Sequence, residues 1–246
     1  MNMQQKIIYL LFATALLFAP SFLWAQTVVE PVEPVPAASY TDEEGVEQIL
    51  AAGESYTGGA PFEVLFSANA EEAEGYSVVC VWTFTDNDNQ KEFLTRYDDA
   101  VEYEFLSAGS FSVSLKVTYT STQNPEIIYE YEFSPFTISI GESSLEVPNA
   151  FSPNGDGIND YFNVYNVASI ISFRASIYNR WGQELYSWGL DEMECEECGW
   201  DGTYNGKPVK AGVYFVVVIA RGADGIKYEY KKDVNLLRDY NESINP

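Results

Sequence analysis

The run from Pro148 to Asp160, PNAFSPNGDGIND, divides the chain. Pro148, Pro153, Gly155 and Gly157 force the backbone into turns. Asn149, Asn154, Asp156, Asn159 and Asp160 supply short side chains that bond nearby backbone. Phe151 and Ile158 interrupt the polar run and Phe162 follows it, which points to an ordered loop pinned to a core, not a loose linker.

On both sides of this loop the sequence is written in short strands. Before it lie FEVLFS (62–67), VVCVWTF (78–84), FSVSLKVT (111–118) and IIYEYEF (127–133), separated by turn-rich segments. In FSVSLKV, Phe111, Val113, Leu115 and Val117 share one face, with Ser112, Ser114 and Lys116 on the other. After the loop, Phe173, Ala175 and Ile177 alternate with Arg174, Ser176 and Tyr178, Asn205-Gly206 marks a tight turn, and an apolar strand runs from Val213 to Ala220. The pattern predicts an all-β protein built of antiparallel β-sandwiches. The boundaries read from it are a signal peptide at 1–25, a Pro-rich linker at 26–39, a first sandwich at 40–141, a second at 145–238 and a tail at 239–246.

The chain is long enough for two cores, with 246 residues, 46% hydrophobic and 15% aromatic. Its net charge of −24 argues against nucleic-acid partners, because phosphate binding needs clustered Lys or Arg. There is no histidine, which removes Ser-His-Asp, Cys-His and His-based zinc chemistry. Carboxylate-only catalysis stays open, but with 37 acids a chance pair carries little information.

Lys6 and the apolar stretch IIYLLFATALLFAPSFLWA read as a secretory signal peptide with its junction at Ala25-Gln26. The longest later apolar run, Val213 to Ala220, is too short to cross a bilayer, so no membrane span is expected after cleavage. The prolines of QTVVEPVEPVPAAS favour an extended, semi-rigid spacer.

Two resemblances sharpen this reading. Trp82-Thr83-Phe84-Thr85-Asp86-Asn87, followed by Phe105, Gly109, Phe111, Val113 and Leu115, resembles the signature of the polycystic-kidney-disease (PKD) type of immunoglobulin-like domain, with Thr85 and Asn87 in place of its glycines and Tyr103 where a His is usual. It implies an extracellular spacer or interaction module with Trp82 in its core, and with it the expected fold becomes two tandem immunoglobulin-like β-sandwiches. The ordered blocks PNAFSPNGDGINDYF, IYNRWGQELY, WDGTYNGKPVKAGVYFVVV and KKDVNLL are similar to the gliding motility-associated C-terminal domain, the type B sorting domain of the Bacteroidetes type IX secretion system. That resemblance implies an address read by outer-membrane components of the pathway, which would be this protein's partners, and a place in the periplasm, at the outer membrane or on the cell surface. The tail from Asp239 to Pro246 and the acidic segment from Asp191 to Cys198 depart from the family pattern.

Three groups of residues are candidate sites. Ser152, Asn154, Asp156 and Gly157 fall at the offsets of positions 1, 3, 5 and 6 of an EF-hand-like loop, so Asn154, Asp156, Asn159 and Asp160 are candidate calcium ligands. Against this, Asn163 stands where a bidentate Glu belongs, and such a loop can instead cap its own backbone. Calcium is the one cofactor considered. Cys195 and Cys198 read as a local disulfide or a pair of free thiols, with Cys80 as a buried core thiol. Arg180, Trp181 and Gly182, with Trp200, Asp201 and Gly202, are candidate docking residues, the alternative being that the tryptophans plug the ends of the sandwich.

The sequence therefore predicts a non-enzymatic exported protein carrying a C-terminal sorting domain, acting as a small adhesin or structural and interaction protein. The alternative is an accessory or signal-relay component of the secretion machinery, docked at the outer membrane through that domain.

Overall fold

The computed structural model describes residues 30–193 and 198–238. The expected signal peptide, the tail and Cys195 lie outside the described residues.

The strands of the first unit are β1 (Ala37–Thr41), β2 (Glu47–Ala51), β3 (Ser55–Gly58), β4 (Phe62–Ser67), β5 (Tyr76–Asp86), β6 (Lys91–Arg96), β7 (Ala100–Phe105), β8 (Gly109–Ser121), β9 (Ile128–Glu132) and β10 (Phe136–Ile140). They form two facing sheets, one in the order β2-β1-β4-β7 and one in the order β3-β10-β8-β5-β6, with β9 also paired to β8. The alternation read in FSVSLKV is the alternation observed: Phe111, Val113, Leu115, Val117 and Tyr119 are buried. Trp82 is fully buried, its ring 5.8 Å from Phe66 and 6.4 Å from Phe136, and its indole N–H donates to Asp98 O at 3.1 Å. A buried Trp thus joins the sheets while its one polar atom stays paired.

The prolines before this sandwich do more than space it. Strand β1 begins at Ala37, inside the stretch expected to be linker, and Pro31, Pro34 and Pro36 are buried. Asn69 Nδ2 donates to Val35 O and Tyr131 Oη to Pro31 O. An extended Pro-rich backbone keeps its carbonyls free, and the sandwich side chains use them to fix the segment along the surface.

The second unit contains β11 (Ser144–Glu146), β12 (Ala150–Phe151), β13 (Tyr165–Ala168), β14 (Ile170–Tyr178), β15 (Glu184–Gly189), β16 (Thr203–Tyr204), β17 (Lys207–Pro208), β18 (Gly212–Gly222) and β19 (Lys227–Leu236). Its main sheet runs β12-β19-β18-β14-β15. Phe173, Ala175, Ile177, Val216, Val218, Val234 and Leu236 point from this sheet into a second core. The pair β11–β13 and the loop before β13 cover that core, contributing Leu145, Val147, Phe162 and Val164, while Phe151 of β12 joins it from the sheet edge. The dividing loop is pinned as expected at Phe151 and Phe162. Ile158 differs: it is 66% exposed, because the turn at Gly157 carries it away from the core.

The units meet through a hydrogen-bonded junction. Ser169 Oγ donates to Gly141 O at 2.8 Å and accepts from Ala60 N at 3.3 Å, while Ala223 N donates to Ser169 O and Ala108 N to Ala223 O. Ile171 and Ala223 of the second unit pack against the first unit's core. Ser143 donates its N–H and hydroxyl to the Asp224 carboxylate. So short and so fully bonded a connection sets the relative orientation of the two sandwiches.

Candidate functional site

The residues singled out in the dividing loop are turned on their own backbone. Gly155, Gly157 and Asn159 take positive φ values of 80°, 82° and 54°, which fold the loop round the Asp160 side chain. Asp160 Oδ1 accepts from Asn154 N at 2.8 Å and Gly155 N at 2.7 Å, and Oδ2 accepts from Gly157 N at 2.8 Å. The N–H groups of Gly155 and Gly157 hold this carboxyl below its ordinary pKa. Asp156 accepts from Ile158 N and Asn154 Nδ2, and its own N–H donates to Asn154 Oδ1. Both Asp160 oxygens accept from backbone donors, the arrangement expected of a loop that caps its own backbone. Asn163 serves elsewhere, accepting from Trp188 Nε1 and Val164 N and donating to Met193 O.

The six candidate docking residues separate into two environments. Arg180, Trp181 and Gly182 form the turn between β14 and β15, where Asn179 Oδ1 accepts from Trp181 N at 2.9 Å and Gln183 N at 3.1 Å. Gly182 sits at φ 77°, the left-handed conformation such a turn needs. Trp181 is 84% exposed, so it plugs no core among the described residues. Gln183 Nε2 donates to Tyr204 Oη and ties the turn to the β16–β17 hairpin.

Trp200 is fully buried and cannot belong to a surface patch in this fold. It exchanges two backbone hydrogen bonds with Phe162, its indole N–H donates to Thr203 O, and its ring lies 5.3 Å from Phe151 and 5.0 Å from Tyr214. Asp201 is engaged by Thr203 N and Oγ1. Gly202, at φ 73°, is buried where a Cβ would come within 2.9 Å of Arg238 and Leu236. These three residues close the end of the core, leaving Arg180, Trp181 and Gly182 as the surface group.

Cys198 is disulfide-bonded, and Cys80 is a free buried thiol whose pKa is pushed up to about 11 by burial and by Asp99. Among the described residues no three His, Cys, Asp or Glu side chains group as a metal site. Sequence reasoning missed the junction residues Ser143, Ser169 and Asp224. The Asp224-Gly225 turn is readable, but nothing local says what it packs against.

The blocks that build this surface and the core behind it can be compared with known families. Residues 145–233 match the CHU_C type IX secretion signal domain. The match covers β11 to most of β19, so it takes in the second unit and leaves the first outside it. A type IX signal domain implies export toward the cell surface, and no helix among the described residues is long and apolar enough to cross a membrane. No curated protein matches the chain.

Several solved structures are similar. A tetra-tandem repeat from the extending region of a large adhesion protein is 12% identical, with a TM-score of 0.25 over 85% of this chain and 68% of that one. The fibronectin(III)-like modules of Clostridium thermocellum CbhA are 12% identical, with a TM-score of 0.23 over 76% of this chain and 90% of that one. The first three fibronectin domains of chicken CNTN1 are 10% identical, with a TM-score of 0.31 over 82% of this chain and 74% of that one. At these scores the likenesses add no argument, and the sandwich assignment rests on the sheet topology above.

Proposed function

We propose that this is a non-catalytic exported protein whose second sandwich is its type IX address and whose first sandwich is the working part, presented at the outer membrane or cell surface as a small adhesin or structural and interaction module. The observation that carries the reading is the coincidence of the signal-domain match with a unit that has its own core. The exposed Arg180-Trp181-Gly182 turn supports a docking role, since Trp and Arg dominate the energetics of protein interfaces. The sequence has no histidine, and its free thiol is buried, which supports a role without catalysis.

Fractionation of cells carrying the full chain, or a chain ending at Gly141, tests this. The full chain is expected in the surface or outer-membrane fraction and the shortened one in the periplasm. Equal distribution of both would overturn the reading. If removing the protein also blocks export of unrelated cargo, its place is in the secretion machinery.

A further inference from the structure

Strand β18 is apolar on both faces but covered on only one. Val213, Phe215, Val217 and Ile219 occupy four successive outward positions, while Tyr214, Val216, Val218 and Ala220 between them are buried in the second core. A continuous apolar run of this kind suits a strand buried on both sides. Yet Val213, Phe215 and Ile219 are 46%, 43% and 57% exposed, and β18 is the middle strand of its sheet, so the stripe crosses the centre of an open face. Single exposed apolar residues are ordinary on protein surfaces, but a contiguous stripe marks an interaction surface.

The charges beside the stripe alternate in sign. The register with β18 sets Asp233 beside Phe215, Lys231 beside Val217, Glu229 beside Ile219 and Lys227 beside Arg221. All four of these β19 side chains are exposed, so the outward order along the strand is plus, minus, plus, minus. On the other side of the stripe the outward charges are Arg174 on β14 and Glu184 on β15. With Arg221 of β18 included, the outward positions carry four basic and three acidic residues, in a chain whose net charge is −24. Copies of so acidic a chain repel one another, and a nearly neutral face lowers that cost.

We propose that this face is a homodimer interface, covered by the same face of a second copy with its strands antiparallel to the first. A two-fold axis between Glu229 and Lys231 sets Glu229 of each copy against Lys231 of the other, and Lys227 against Asp233. On the neighbouring strand the same axis lays Ile219 on Val217 of the other copy. The alternating order along β19 is what makes the strand complementary to its own reversal. Lys231 Nζ already lies 2.5 Å from Glu229 of its own strand, and an ammonium with three donors can serve a second carboxylate as well.

The first units decide between antiparallel and parallel. Each joins its second unit at the Ile170 and Gly222 end of the sheet, so antiparallel copies send their first units to opposite ends. Parallel copies would set them side by side, and residues 40–141 hold nineteen Asp and Glu against three Lys and Arg. Stacked sheets lie ~10 Å apart, within reach of facing Lys and Glu side chains. At ~4.8 Å between strands and ~3.3 Å per residue, β15, β14, β18 and β19 present a face roughly 20 Å wide and 30 Å long, which approaches the ~800 Å² that one partner gives to a standard interface. The contact is isologous, so it closes at two copies. The inference goes beyond the sorting role and does not depend on it.

Sedimentation equilibrium on the chain from Gln26 to Pro246 tests this. The average mass is expected to rise with concentration from monomer to dimer and to stop there. Ile219→Asp, at a solvent-facing position, should lower the association constant at least about tenfold with an unchanged thermal melt. Glu229→Lys and Lys231→Glu should each weaken association too, since each sets like charges against one another. An equimolar mixture of those two variants should associate again, and so should the double variant E229K/K231E, because both restore opposite charges at each crossing. A wild-type chain that stays monomeric at millimolar concentration would overturn the inference, as would association that survives Ile219→Asp. Failure of the mixture to associate would overturn the antiparallel register. A monomeric wild type that binds an outer-membrane component and loses it on Ile219→Asp would overturn the dimer and assign the face to the sorting machinery.

Discussion

Ser143 grips Asp224 from across the interdomain junction: its backbone N–H and its hydroxyl both donate to that carboxylate at 2.8 Å, and the same hydroxyl lies 2.9 Å from Tyr228 Oη. Burial pushes the Asp224 carboxyl up, but the Ser143 and Ile226 N–H groups and the Ser143 hydroxyl outweigh it and hold its pKa below the ordinary value. Replacing Asp224 by Ala should leave each core folded and loosen their relative orientation. Small-angle scattering would register this as a broader, larger molecule, with both units still melting cooperatively. An unchanged scattering profile would contradict it.

The same carboxylate and that of Asp160 give the junction and the dividing loop a shared pH dependence. A folded pKa below the unfolded value contributes stability that is present above the unfolded pKa, near 4 for Asp, and is lost as pH falls through the folded value. Both features should therefore be intact at neutral pH and loosen only below about pH 4. Amide exchange at Gly155 and Gly157 followed between neutral and strongly acidic pH checks this, and Asp160→Ala should raise exchange at those amides even at neutral pH.

Trp181 and Trp200 should respond oppositely to truncation. Trp200→Ala removes a fully buried ring that touches Phe151 and Tyr214 and should cost about 3–5 kcal/mol of unfolding free energy. Trp181→Ala should change stability by less than about 0.5 kcal/mol, since its side chain is exposed. Denaturant titration of the two variants decides the matter.

Gly202 should tolerate no side chain. Alanine there meets both the positive φ and contacts of 2.9 Å to Arg238 and Leu236, so Gly202→Ala should destabilise the second unit by about 1–3 kcal/mol. Gly182→Ala, at a similar φ but with open space round it, should cost less. Paired thermal melts of the two variants test the ordering.

What could be read from the sequence follows from how far each determinant reaches along the chain. The alternation of Phe111, Val113, Leu115 and Val117 is local, and it gave the inner face of β8 without any knowledge of its partners. The signal-domain blocks, each a strand or a turn, were legible for the same reason. The two tryptophans were not separable, because RWG and GWDG both read as turns, and Trp200 is buried through partners distant in sequence, among them its bridge to Phe162 and its packing on Phe151. The loop oxygens point to a cation or to self-capping alike, and the capping itself depends on positive-φ residues that turn three backbone N–H groups onto Asp160. The junction was invisible, since Ser143 and Asp224 meet only after β14, β18 and β19 have formed a sheet.

The most direct test of the address is a fusion of residues 142–246 to an inert reporter carrying a cleavable secretory signal, expressed in a host with the type IX pathway. The expected result is an intact reporter on the outer face of the cell, accessible to added protease, with R180E/W181A leaving it inside. A folded, intact reporter that stays in the periplasm and captures no outer-membrane component would contradict the account.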